Sequence, residues 1–175
     1  MDGAVGALAQ RDRSGLMRHP FPPFFDCDSR ILVLGSFPSV KSREQGFFYG
    51  HKQNRFWCVT AAVFRDDVPD TLQQKKQFLT KHHIALWDVI ASCEIIGSSD
   101  ATITDAMPNE LSVITDNCAI KGIFVNGRKA YELYNRYLAQ KYGPAVYLPS
   151  TSAANAAWSA QRLAESWKVL AEITE

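Results

Sequence analysis

Four short apolar runs, each ending in a polar or glycine-rich turn and separated by stretches of helical periodicity, constrain this chain most. Ile31 to Gly35 (ILVLG), Ile84 to Ile90 (IALWDVI), Lys121 to Val125 (KGIFV) and Ala145 to Leu148 (AVYL) read as strands. Near-continuous apolarity suits strands covered on both faces rather than one. Between them, Asn54 to Arg65, Thr71 to Lys81, Asn109 to Asn117, Arg128 to Lys141 and Ala153 to Ile173 read as helices. In the last of these, Leu163, Trp167 and Leu170 recur at spacings of about four and three, as one buried helix face requires. Strands alternating with helices predict a parallel α/β sheet with helices on both faces. Ligands in such sheets bind at the carboxyl ends of the strands.

The remaining sequence fits one domain over 19–175. Residues 1–18 are small, polar and aperiodic and are expected to form a disordered tail. His19 to Phe25 (HPFPPFF) cannot be helical, because proline lacks a donor and clashes with the preceding turn; an extended strap is expected. At 175 residues the chain can bury roughly 68–70% of its unfolded surface, so no metal or disulfide staple is needed. Nineteen basic against eighteen acidic residues give +1, which excludes an all-over polycation but not a local basic site. No apolar run approaches the ~18 residues of a spanning helix, and no signal pattern opens the chain, so a cytoplasmic protein of bacterial or archaeal type is expected. Cys27, Cys58, Cys93 and Cys118 form no C-x-x-C, and reduced, buried thiols are expected.

Chemistry-bearing residues gather after the strands. The loop following Gly35 holds Lys41, Arg43, Lys52 and Arg55 against Glu44, with His51 and the aromatic run Phe47-Phe48-Tyr49. Basic groups among aromatics suit phosphates held beside a stacked base; a lid covering the core edge is the plain alternative. Ser150, Thr151 and Ser152 precede the last helical stretch, where hydroxyls and free N–H groups can take a phosphate or simply cap the helix. Asp88 lies between Trp87 and Val89 and needs a partner, either a ligand N–H or a salt bridge within the fold. There is no G-x-S-x-G, no Walker A and no G-x-G-x-x-G, and the adjacent His82 and His83 point about 100° apart on a helix, which is poor for a metal.

Gly35-Ser36-Phe37-Pro38-Ser39, followed by Gly46 to Trp57 (GFFYGHKQNRFW), resembles the first motif of the uracil-DNA glycosylase superfamily. Leu148 to Ala156 (LPSTSAANA) resembles its second, in the form of the hypoxanthine-DNA (deoxyinosine) glycosylase branch, as do Trp87-Asp88-Val89, Cys93 and Gly97-Ser98-Ser99-Asp100. The resemblance spans roughly 19 to 170. It implies a three-layer α/β/α sandwich with a central four-stranded, mostly parallel sheet. The implied activity is hydrolysis of the N-glycosidic bond of a flipped-out, deaminated base in DNA, hypoxanthine first, without metal or cofactor. A monomer is expected, although the sequence leaves the oligomeric state open.

The resemblance also assigns roles. The usual water-positioning Asp or Asn of the first motif is replaced by Phe37, and in the hypoxanthine branch that role maps onto Asn54. Ser36 and Phe37 are expected to bind the base through backbone N–H groups, Tyr49 to stack on it, and Asp88 to accept its ring N–H. Ser39, His51, Ser150, Thr151, Ser152 and Asn155 are expected to face DNA. Asn155 is placed in the first turn of the last helix, where it either supports the Ser150 loop or reaches the minor groove. Ala153 stands where the branch carries proline, and no histidine occurs in the second motif. A mismatch uracil glycosylase of the same fold, a non-catalytic DNA-binding domain and a nucleoside hydrolase are the rival readings.

Overall fold

The structure is a computed structural model and describes residues 11–174. Its strands are β1 (Met17–Arg18), β2 (Ile31–Gly35), β3 (Ile84–Asp88), β4 (Ile90–Glu94), β5 (Thr104–Pro108), β6 (Gly122–Asn126) and β7 (Val146–Leu148). Its helices are α1 (Val40–Gln45), α2 (Phe56–Phe64), α3 (Leu72–Lys81), α4 (Ser112–Thr115), α5 (Arg128–Tyr137), α6 (Ala139–Tyr142), α7 (Ala160–Trp167) and α8 (Val169–Thr174). A 3-10 turn covers Asp100–Thr102.

The central sheet has the order β3-β2-β6-β7, and every neighbouring pair is parallel. Every residue of β2 and β3 is buried, which explains the unbroken apolar runs. Helices flank the sheet, giving the expected three-layer α/β/α sandwich. Trp167 and Leu170 are fully buried, on α7 and α8, so the apolar stripe read from the sequence is indeed the packed face. Burying each such large side chain contributes roughly 1.5–3 kcal/mol. The chain passes from β2 to β3 on one side, then to β6 and β7 on the other. The reversal of strand order falls between β2 and β6, and the carboxyl ends of all four parallel strands share the edge on which it opens.

Four expectations are corrected. First, the run Ile84–Ile90 is not one strand: β3 stops at Asp88, and Ile90 begins β4 in a second, antiparallel sheet of order β1-β4-β5. Val89 and Ile90 donate to the carbonyls of Gly35 and Ser36, which bends the chain across the end of β2. Second, the tail does not run free to residue 18, because Met17 and Arg18 pair with Cys93 and Ser92 along the edge of β4. Residues 1–10 of the expected tail lie outside the described residues. Third, the last helical stretch starts at Ala160, not Ala153, and breaks at Lys168. Ser159, not Ser150 or Ser152, caps it by accepting from the Arg162 N–H. Fourth, Cys27 and Cys58 are exposed, Cys118 is half-buried and Cys93 is buried; all four are free thiols.

The strap is where the prolines put it. Phe24 exchanges both backbone hydrogen bonds with Leu86, at 3.0 and 2.9 Å, covering the outer edge of β3. His19 donates its backbone N–H to Ala91 at 2.8 Å.

Candidate active site

A cavity of about 360 Å³ opens at the carboxyl ends of the central strands. This lies within the roughly 300–1,000 Å³ usual for small-molecule sites. Gly35, Asp88 and Asn126, the last residues of three strands, all line it. Ser36, Phe37, Ser39, Tyr49, His51 and Asn54 reach it from the first long loop. Ser150, Thr151 and Ser152 reach it from the loop after β7. The two segments that carry the sequence motifs therefore meet at one site, from opposite halves of the chain.

Asn54 is the joint between them. Its Oδ1 accepts from the Phe56 N–H and from Thr151 Oγ1, both at 2.9 Å. Two donors fill the two lone pairs of the amide oxygen, and the backbone donor fixes which atom is oxygen. What Asn54 retains is Nδ2, a pure donor. Thr151 is wholly buried and holds Asn126 as well: Asn126 Nδ2 donates to Thr151 Oγ1 at 2.9 Å, and the Thr151 N–H donates to Asn126 Oδ1 at 3.1 Å. The expectation that Thr151 grips DNA is thereby corrected. Its hydroxyl is committed inside the protein, where an unpaired group is costly.

The rest of that loop is fastened by Arg55. Its guanidinium donates to the carbonyls of Thr151 (3.4 Å), Ser152 (2.8 Å), Asn155 (3.1 Å) and Trp158, and its backbone N–H donates to Thr151 at 3.0 Å. Ser150 Oγ accepts from the Ser152 N–H and Ser152 Oγ from the Ala154 N–H. Such local bonds compete with helix formation and explain why the alanine-rich stretch is not helical. Asn155 is in this loop, not in a helix, and its Nδ2 donates to the Ser150 carbonyl at 3.0 Å. This bond ties the two ends of the loop together.

The basic cluster is also reassigned. Arg43 is buried, donating to the carbonyls of Pro38 (3.3 Å) and Gly97 (3.2 Å) and lying over the Phe37 ring. Burial lowers its pKa from the usual value. Lys41 pairs with Glu44 at 3.0 Å, and Lys52 is exposed. Two of the four cations thus build the loops rather than face phosphates. Phe47 and Phe48 are core residues, as the lid alternative required.

Tyr49 stands at a left-handed φ of 52° and stacks on Phe56, with centroids 4.0 Å apart and planes 14° from parallel. Phe56 covers one face of the phenol, leaving the other for the cavity. Its hydroxyl is buried without a hydrogen-bond partner. Burial drives its pKa far above the ordinary range, with the charges of Asp88 and Asp100 adding to the rise. Ser36 Oγ donates to Asp100 Oδ1 at 2.7 Å. Burial raises the Asp100 carboxyl, Ser36 counteracts this, and Asp88 pushes it further up. Ser39 caps α1 by accepting from the Ser42 N–H. His51 is exposed, and its Nδ1 accepts from the Gln53 N–H at 3.1 Å.

Asp88 does have a partner within the fold: His19 Nε2 lies 2.7 Å from its Oδ2. The structural alternative for Asp88 is therefore present, yet the residue also lines the cavity. Gly35 makes this possible, because a Cβ there would collide with Asp88 Oδ1. Asn126 and Asp100 were missed as site residues. Asn126 ends a strand as Asp88 does, and that position was its available signal. Asp100 lay in the Gly97-Ser98-Ser99-Asp100 segment that carried the resemblance but received no role. Among the described residues, no cluster of three or more His, Cys, Asp or Glu is placed to hold a metal ion. No helix among them is long and apolar enough to cross a membrane.

Comparison with known proteins agrees with this geometry. The family model for the uracil DNA glycosylase superfamily matches residues 22–174. The hypoxanthine DNA glycosylase of Methanosarcina acetivorans is 33% identical over 157 residues, covering 89% of this chain and 98% of the relative. That of Methanosarcina barkeri is 30% identical over 140 residues, covering 79% and 89%. A solution NMR structure of a candidate uracil DNA glycosylase from Methanosarcina acetivorans superposes with a TM-score of 0.75 at 32% identity, covering 89% of this chain and 97% of that one. With both motif segments closing on one strand-end cavity, the chain belongs to the uracil DNA glycosylase superfamily.

Proposed function

We propose that the protein releases hypoxanthine from deoxyinosine in DNA by hydrolysis, leaving an abasic site. In this reading residues 19–175 act as one domain, as a monomer, on DNA inside the cell. The observation that carries it is the bond between Thr151 and Asn54, which ties the two motif segments into one cavity wall.

The nucleotide must leave the stack to reach such a cavity. Tyr49, backed by Phe56, stacks on the extruded base, and Phe37 closes the wall beside it. The backbone N–H groups of Ser36 and Phe37 bind the carbonyl oxygen of the base. Asp88 accepts the adjacent ring N–H through the oxygen that His19 leaves free. Hypoxanthine N1–H and uracil N3–H both supply that donor beside a carbonyl. Adenine and cytosine lack it and leave the carboxylate unpaired.

The C1′–N bond breaks with its electron pair going to the base, while water bonds to C1′ and its proton neutralises the departing base. Asn54 Nδ2 holds the water oxygen by donation, so the amide orients rather than deprotonates. Positive charge on the sugar is stabilised by the flanking DNA phosphates, which Ser39, His51, Ser150 and Ser152 hold at the cavity rim.

A panel of duplexes, each carrying hypoxanthine, uracil, xanthine or an undamaged base, tests this by alkali nicking after incubation. Strongest nicking at deoxyinosine is the expected result. Nicking at uracil in mismatches alone makes the protein a uracil glycosylase, and binding without nicking makes it a non-catalytic domain.

A further inference from the structure

His19 lies outside both motif segments, on the strap, and its side chain is almost completely enclosed. The imidazole and the Asp88 carboxylate are 4% and 6% exposed, with 2.7 Å between His19 Nε2 and Asp88 Oδ2. A carboxylate can only accept, so Nε2 carries the hydrogen. The rest of the ring sits among aromatics: Phe21 edge-on at 4.6 Å, Phe37 at 6.0 Å and Phe48 at 6.3 Å. Its Nδ1 is buried with no partner. Among the described residues His19 is the single hydrogen-bond partner of the Asp88 carboxylate; Asn109 Nδ2 donates to the Asp88 carbonyl instead, at 2.9 Å. The strap that carries it is anchored at its start by β1 on β4 and by the His19 N–H on the Ala91 carbonyl, and at its end by Phe24 on Leu86.

We infer that His19 is a positioning residue that holds the Asp88 carboxylate as an acceptor toward the cavity and thereby sets which bases the cavity takes. The inference rests on the reading of Asp88 as the group that accepts the ring N–H of the base. Occupied at Oδ2 by the imidazole, Asp88 offers Oδ1, the atom that approaches Gly35, toward the cavity it lines. The other titratable groups acting on it are Tyr49, from the loop before α2, and Asp100, from the 3-10 turn. Neither supplies a positive charge. Without the imidazole donor, the buried carboxylate has no partner at Oδ2, and nothing holds Oδ1 toward the cavity. A carboxylate turned away leaves N1–H of hypoxanthine unpaired and removes the discrimination against bases with a bare ring nitrogen, such as adenine. The N-terminal segment is thereby part of base selection, through a residue that need not touch the base.

The test is single-turnover base release from deoxyinosine and deoxyadenosine duplexes by the wild type, His19→Leu, His19→Gln and Asp88→Asn, with thermal unfolding to confirm folding. His19→Leu should release hypoxanthine roughly 10- to 100-fold more slowly at neutral pH. Its ratio of hypoxanthine to adenine release should fall. His19→Gln, whose amide can donate to the same oxygen, should restore the wild-type rate and preference. A folded His19→Leu with the wild-type rate and preference overturns the role of His19, provided Asp88→Asn does alter preference. An Asp88→Asn variant with unchanged preference overturns the base-reading role of Asp88, and the inference with it. Should His19→Leu not fold, the Nε2–H resonance of the wild type decides. A downfield proton signal that Asp88→Asn abolishes supports the pair, and its absence overturns it.

Discussion

Thr151 Oγ1 donates to Asn54 Oδ1 at 2.9 Å across a separation of 97 residues. The same hydroxyl accepts from Asn126, so one buried threonine joins the first long loop, the end of β6 and the loop after β7. The bond also decides what the Asn54 amide can do, since it consumes the second lone pair of Oδ1. The side chain we propose to orient the attacking water is thus held by two partners before any substrate arrives, which is what electrostatic preorganisation requires.

Asn54→Asp separates the two faces of the amide. The carboxylate retains both acceptor bonds, to Phe56 and Thr151, but has no Nδ2 to donate. Base release should fall by about 10²–10³-fold, with thermal stability near that of the wild type. Single-turnover rates on a deoxyinosine duplex measure this. An Asn54→Asp variant as fast as the wild type would show that position 54 acts as an acceptor for the water instead.

Thr151→Val keeps the shape and removes the hydroxyl. Asn126 Nδ2 and Asn54 Oδ1 then each lose a buried partner, and stability should drop by about 1–3 kcal/mol. Base release should slow as well, because Asn54 loses its restraint. Urea unfolding and single-turnover rates together check it; a variant equal to the wild type in both would remove Thr151 from the wall.

Arg55→Met removes the clamp on the Thr151, Ser152, Asn155 and Trp158 carbonyls while keeping the apolar stem. A loss of about 1.5–3 kcal/mol is expected for the charged hydrogen bonds. Amide hydrogen exchange should accelerate through 150–158, and affinity for DNA should weaken. Unchanged protection in that loop would count against the clamp.

Asp100 supplies a pH signature. Burial raises its folded-state pKa above the ordinary value of 3.8, so the ionised carboxylate opposes folding. That penalty is complete above the folded pKa and disappears as pH falls from there to 3.8. Asp100→Asn, which can still accept from Ser36, should therefore gain most over the wild type at neutral pH and lose the advantage toward pH 4. Urea midpoints at several pH values test this, and a pH-independent difference would contradict it.

Much of the architecture is written locally. The glycine after Leu34, the unbroken apolar runs and the Leu163, Trp167, Leu170 spacing depend on neighbours within a few residues, so strands, helices and their parallel arrangement follow from the chain alone. The two motif segments likewise marked the strand ends where the cavity forms. The roles of polar side chains do not follow, because their partners are far away in sequence. Arg43 and Arg55 read as phosphate-binding cations until packing brings backbone carbonyls to them. Thr151 reads as a surface hydroxyl until Asn54 and Asn126 enclose it. The stretch from Ala153 carries helix-forming alanines, yet Ser150, Ser152 and Arg55 take its backbone groups first. His19 shows the same limit across 69 residues, since its bond to Asp88 exists only after the strap lies against β3 and β4. Hydrophobic periodicity is a property of a segment, whereas hydrogen-bond satisfaction belongs to the folded whole.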